Sequence, residues 1–207
     1  PEGFAAEEAL AWNEMTWGYW RYPFVPLISR YKWLEPRHMP VVNSGGHHHL
    51  DGIQAAFFNG VGYADQEDVI GIHNGFTRRE AEALRRVLTI ERANAPLLVS
   101  AMWEPHTPTL QYGVFASKFP GKTQTLWTVI NRNSYGVDGQ QIAVPFVSGI
   151  RFFDLWHGVE LIPKISRGKQ PIATLSLAME AEGFGAVLAI NADEVSASLK
   201  TLLGEMH

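Results

Sequence analysis

The chain has 207 residues, 46% of them hydrophobic, 18% charged and 12% aromatic, enough for one substantial core or two small ones and unlike disordered, collagenous or coiled-coil chains. Its formal charge of −4 divides into 9 basic against 12 acidic residues over 1–100 and 8 against 9 over 101–207, so neither half has the basic field that nucleic acid or an anionic membrane recruits. The absence of cysteine excludes disulfides, thiolate metal sites and cysteine nucleophiles, and no apolar run reaches the roughly 18 residues of a membrane span.

Pro1 to Glu8 lack an initiator Met and the basic-then-apolar order of a secretory leader. A soluble, cytoplasmic protein is the expectation, as is a chain taken from a longer one. Trp12, Trp17, Tyr19, Trp20, Tyr22, Tyr31 and Trp33 crowd the first 33 residues. Aromatic faces stack on the apolar C–H faces of sugar rings, so Trp12, Trp17, Trp20 and the neighbouring Asn13 are candidate substrate contacts. Met39–Gly46 reads as a short buried strand ending in a polar turn, with a helix over 51–59. Asp68–Gly75 repeats the strand and turn, and a helix over 78–94 follows, opened by the capping box Thr77-x-x-Glu80. Strand, loop, helix, twice over, is the βα grammar of a parallel sheet or barrel.

From Thr109 the period becomes two. Residues 112–119, 125–131, 140–145, 150–155, 160–165, 172–179 and 186–190 are short β-rich runs separated by Pro-Gly, Asp-Gly, His-Gly and Arg-Gly turns, the pattern of an antiparallel sandwich. Residues 193–206 close the chain as a short amphipathic helix. The expected division is therefore 1–104, 105–192 and 193–207, an α/β unit followed by an all-β one.

The run Gly45-Gly46-His47-His48-His49-Leu50-Asp51 sits where a strand would pass into its loop. On an extended backbone His47 and His49 face one way and Asp51 adds an oxygen, a donor set for Zn or another divalent metal. The carboxylates Glu14, Asp51, Asp65, Glu67 and Asp68 form the pool from which sugar hydrolysis would draw, because that chemistry needs two carboxyl groups flanking one bond. Glu14, Asp51 and Glu67 are the catalytic candidates. His73 and Asn74 follow a strand on the same expected face and are candidate substrate contacts. Trp103, His106, Trp156 and His157 are expected to pack a seam between the units, with Asp154 and Glu160 solvated or capping turns. There is no Gly-x-Ser-x-Gly elbow, phosphate loop or dinucleotide fingerprint.

Residues Ala56–Tyr63, Ile70–Gly75, the helix Arg79–Glu91, Trp103–Leu110, Phe153–Leu161 and Gly183–Leu188 together resemble the C-terminal part of bacterial glycoside-hydrolase-like proteins, in which a (β/α)8 barrel is followed by an antiparallel β domain. Asn13-Glu14 is similar to the Asn-Glu pair at a barrel strand end in many retaining glycosidases. The resemblance implies the end of a TIM-barrel-like domain joined to a β-sandwich, and a carbohydrate as substrate class. A barrel needs about 250 residues, so 1–104 supply two or three βα units, whose open edges call for self-association or another chain to complete the barrel. Three functions are compatible: a glycoside-hydrolase-like protein with its acid and base among Glu14, Asp51 and Glu67; a metal-dependent hydrolase of an ester, lactone or amide using His47, His49, Asp51 and His73 around an activated water; and a non-catalytic carbohydrate-binding or accessory module.

Overall fold

Three short parallel strands lie side by side in sequence order, β1 (Met15–Tyr19), β2 (Met39–Asn43) and β3 (Gly62–Ala64), in a computed structural model that describes residues 10–19, 23–43, 49–64 and 75–207. Parallel neighbours need crossover connections, which here carry α1 (Arg30–Leu34) and α2 (His49–Asn59). Ser29 caps α1 by accepting from the Lys32 amide. The strand expected over 68–75 falls on residues 68–74, outside the described residues.

Helix α3 (Arg78–Ala93) begins at the expected capping box. The Glu80 amide donates to the Thr77 hydroxyl at 3.2 Å and the Thr77 amide donates to the Glu80 carboxylate at 2.8 Å. A single turn, α4 (Ala95–Leu98), follows. The rest is antiparallel. A six-stranded sheet has the order β4-β5-β6-β12-β8-β9 and a three-stranded sheet the order β10-β11-β7. Their strands are β4 (Glu104–Thr107), β5 (Val114–Pro120), β6 (Gln124–Asn131), β7 (Gln140–Pro145), β8 (Ile150–Asp154), β9 (Val159–Leu161), β10 (Lys164–Ile165), β11 (Ile172–Ser176) and β12 (Phe184–Asn191). Helix α5 (Ala197–Met206) ends the chain, capped by the Ser196 hydroxyl.

Both faces of the six-stranded sheet are covered. One face meets the three-stranded sheet through Ala116, Trp127, Val129, Phe152 and Val187 against Ile142, Val144, Ala173 and Leu175. The other buries Phe119, Leu126, Phe153, Phe184 and Leu188 against Ile53, Phe57 and Phe58 of α2, Val87 and Ile90 of α3, and Leu199 and Leu202 of α5. Strand β12 is consequently buried over its first seven residues, as expected of a strand with no solvated face. Helix α2 is buried from Gly52 to Asn59 because it lies between two layers, with Ala56 packing on Val42 and Val61 at the parallel strands.

The strand assignment over 160–165 changes, and β4 falls where no strand was expected. The run 160–165 is two strands in different sheets: β9 ends at Leu161, and the chain turns through Ile162, 96% exposed, and Pro163 into β10. Proline has no N–H to continue a ladder. Strand β4 contains Pro105 and a register irregularity between Glu104 and Thr107, so its period is not readable. Among the described residues no helix is long and apolar enough to cross a membrane.

Candidate functional site

The register of the parallel strands sets Tyr19 beside Asn43 and Asn43 beside Ala64. Their carboxyl ends therefore form one row, from which the chain leaves into residues 20–22, 44–48 and 65–74. The first turn of α2 carries two of the candidate residues. His49 is 3% exposed, with its Nδ1 3.0 Å from the Tyr63 hydroxyl of β3 and its ring 4.4 Å from that of Phe76. Asp51 is half-buried and takes a 2.6 Å ion pair from the Arg132 guanidinium. The same Nη1 of Arg132 donates to Gln54 Oε1 at 2.7 Å, and its Nη2 to the Pro23 carbonyl at 3.4 Å. Gln54 in turn donates to the carbonyls of Asn131 and Gly183 at 3.0 and 2.9 Å. A charge-assisted pair at this distance is strong and directional, and the amide behind it locks both partners to the ends of β6 and β12.

The remaining candidates divide by position. Glu14 stands just before β1, at the amino end of the row, where its carbonyl accepts from the Met39 amide. Five strand residues at about 3.3 Å each separate it by roughly 16 Å from the carboxyl ends, more than the roughly 5–9.5 Å between paired glycosidase carboxyls. Glu14 thus stands a strand length from the row of carboxyl ends. Trp12 is 86% exposed and Asn13 partly buried at the same amino end, while Trp17 belongs to β1. Trp20, His47, Glu67, His73 and Asn74 lie outside the described residues.

The metal reading assumed an extended backbone through His49 and Asp51. Both are helical, and at 3.6 residues per turn positions two apart point about 160° away from each other. The pair turns to different neighbours, Tyr63 and Arg132, and among the described residues no group of three His, Asp or Glu side chains is arranged to hold a metal ion. Arg132, Gln54 and Tyr63 were not candidates from the sequence. Arg132 is 81 residues from Asp51, a pairing that no local pattern encodes.

Two further polar clusters lie in or beside the helical core. Lys32, 2% exposed, donates to the carbonyls of Gly60 at 2.9 Å and Leu98 at 2.6 Å and lies over the rings of Trp103 and Phe119. Burial pushes its ammonium down to about 8 despite the attraction of Glu91, whose carboxyl burial pushes up to about 8. At the β8–β9 turn, buried Asp154 accepts from the amides of Trp156 and His157 through Oδ1 and holds His157 Nδ1 at 2.6 Å through Oδ2. That hydrogen bond raises the His157 pKa above its ordinary value.

No family model matches the chain, and no curated protein matches it. Solved structures similar to it are α-amylase family glycoside hydrolases at low identity. An Anoxybacillus α-amylase shares 10% identity at a TM-score of 0.46, over 76% of this chain and 39% of that one. An H. orenii α-amylase shares 11% at 0.46, over 78% and 42%. A Nostoc punctiforme debranching enzyme shares 11% at 0.44, over 74% and 36%. The chain spans less than half the length of each.

Proposed function

We propose that this chain belongs to a glycoside-hydrolase-like protein and acts on or binds a carbohydrate at the carboxyl ends of β1, β2 and β3. The observation that carries the reading is the in-register row of parallel strand ends with the Asp51–Arg132 pair beside it. Sequential parallel strands joined through helices are the repeating unit of a barrel, whose sites are built from the loops after the strands. In this reading residues 1–104 supply barrel-like units, 105–192 a β-sandwich and 193–207 the closing helix. Asp51 accepts hydrogen bonds from sugar hydroxyls and Arg132 fixes its orientation. With Glu14 at the other end of the strands, the described carboxylates favour binding over hydrolysis, and Glu67, which follows β3 in the sequence, is the partner that a complete active site would use.

Calorimetric titration with a panel of neutral oligosaccharides tests this. Asp51→Asn is expected to weaken the best ligand about tenfold while leaving the melting temperature within a few degrees. Equal affinity in the variant and the parent would remove Asp51 from the site. Turnover of aryl glycosides is expected to be weak; robust turnover lost in Glu67→Gln would instead show a full acid and base within these residues.

The same reading sets an association state. Among the described residues strand β1 is an edge of its sheet, and Trp12, Val25, Leu27, Trp33, Leu34 and Met39 are each more than half exposed. Parallel sheets occur almost only with both faces covered, and an open edge is a template for pairing. Sedimentation at tens of micromolar is expected to show self-association through residues 1–75, reduced by charged replacements at Trp33 and Leu34. A strictly monomeric protein would contradict it.

A further inference from the structure

A cavity of about 460 Å³ lies between the first turns of α2 and α3, the β8–β9 turn and the start of β12, lined among others by Arg78, Arg79, Arg86, Trp156, His157 and Phe184. That volume falls within the range of small-molecule sites. Its cations are not equally committed. Arg86 is spent: it donates to the carbonyls of Trp156 and Met206 and pairs with Glu82 at 2.6 Å, and Glu82 is also held by Arg85 at 2.7 Å. Arg79 donates to the Ala181 carbonyl and lies 3.4 Å from Glu180, which is 81% exposed. So exposed a pair contributes little and yields to a competing anion. Arg78 is exposed and has no hydrogen bond or ion pair among the described residues.

His157 completes the set. Asp154 fixes the imidazole through Nδ1 at 2.6 Å and itself receives two backbone amides. The carboxylate behind Nδ1 fixes the ring and favours its protonated form, in which Nε2–H is a donor for an anion. One wall is aromatic: Trp156, partly exposed, stacks on buried Phe184 at 5.0 Å and 16° and carries the Arg86 guanidinium over its ring at 5.8 Å. Guanidinium groups match the geometry of oxyanions, and an aromatic face suits a ring carried behind one.

We propose that this cavity binds a small organic oxyanion, a phosphate or carboxylate carried on a ring, between Arg78, Arg79 and His157. Neither Asp51 nor Arg132 lines this cavity, and the proposal does not depend on the carbohydrate reading.

Titration of the full chain at low ionic strength with phenyl phosphate, benzoate, inorganic phosphate and benzyl alcohol tests it, read by calorimetry and by the ring resonances of His157. Phenyl phosphate or benzoate is expected to bind at submillimolar concentration and to shift His157, benzyl alcohol to do neither, and inorganic phosphate to bind at least tenfold more weakly than phenyl phosphate. Arg78→Gln, which removes no internal contact, should weaken binding about tenfold, and Asp51→Asn should leave it unchanged. The proposal is overturned if no aromatic anion binds at about 10 mM, if benzyl alcohol binds as well as they do, or if Arg78→Gln is without effect. Inorganic phosphate binding as tightly as phenyl phosphate would overturn the aromatic wall's part in it.

Discussion

Replacing Glu91 by glutamine is expected to abolish a fall in stability between about pH 4.5 and 8 and to raise stability at pH 8 by about 3 kcal/mol. Glu91 Oε1 is buried without a hydrogen-bond partner among the described residues, and burial pushes the carboxyl from 4.5 to about 8. The folded chain therefore keeps a proton that the unfolded chain releases above 4.5, so stability declines as pH rises through that window. Lys32 acts in the opposite sense. Burial lowers it from 10.5 to about 8, so the unfolded chain holds the extra proton and stability recovers between 8 and 10.5. The unmodified protein should show a minimum near pH 8. The full displacement of Glu91 corresponds to roughly 5 kcal/mol, and the expected gain is smaller because glutamine also buries a polar group. Urea unfolding across pH 4 to 11 checks both limbs, and a parent-like profile in Glu91→Gln would exclude this assignment.

Gly158→Ala is expected to cost about 3 kcal/mol or more. Gly158 has φ +70°, and a Cβ there would lie 2.2 Å from the Leu203 carbonyl oxygen and 2.8 Å from the His207 amide, both backbone atoms of the α5 end. Backbone cannot swing aside as a side-chain tip can, so the turn or the helix must move, on top of the left-handed conformation itself. Displacing α5 loosens Leu199, Leu202 and Met206 from the core they share with α2 and α3. Gly149→Ala separates the two costs: its φ is +87°, yet nothing lies within 4 Å of the added methyl, so conformational strain of about 1–2 kcal/mol should be the whole effect. Thermal unfolding of the two variants side by side is the measurement, and equal losses would mean that α5 is not held by this contact.

Legibility from sequence followed the range of the interactions. Helix α3 was readable because its signal is local: Thr77, Glu80 and the apolar spacing behind them specify its start and its buried face. Strand β7 was read at its observed bounds, and β5, β6, β8 and β12 within about two residues, because turn residues punctuate them. Strand β3 is three residues long and β4 is broken by Pro105, so neither accumulates a period. The uninterrupted apolar run of β12 signals burial on both faces without saying what covers each. At the candidate site His49 and Asp51 were visible as residue types, but their directions depend on where α2 begins, and Arg132 arrives from beyond β6. Sequence spacing alone put Glu14 in the same pool as Asp51; the structure sets Glu14 just before β1 and Asp51 in the first turn of α2.

The helical face of the six-stranded sheet bears on how this architecture can be rearranged in evolution or in the laboratory. A gene cut at the change of period near residue 104 would deliver the whole sandwich but strip away α2 and α3, leaving Phe119, Leu126, Phe153, Phe184 and Leu188 covered by α5 alone. Recombination between relatives should therefore tolerate crossovers in the surface turns of the sandwich better than at that apparent border. The transferable cassette begins no later than His49, upstream of the residues that roof the sheet.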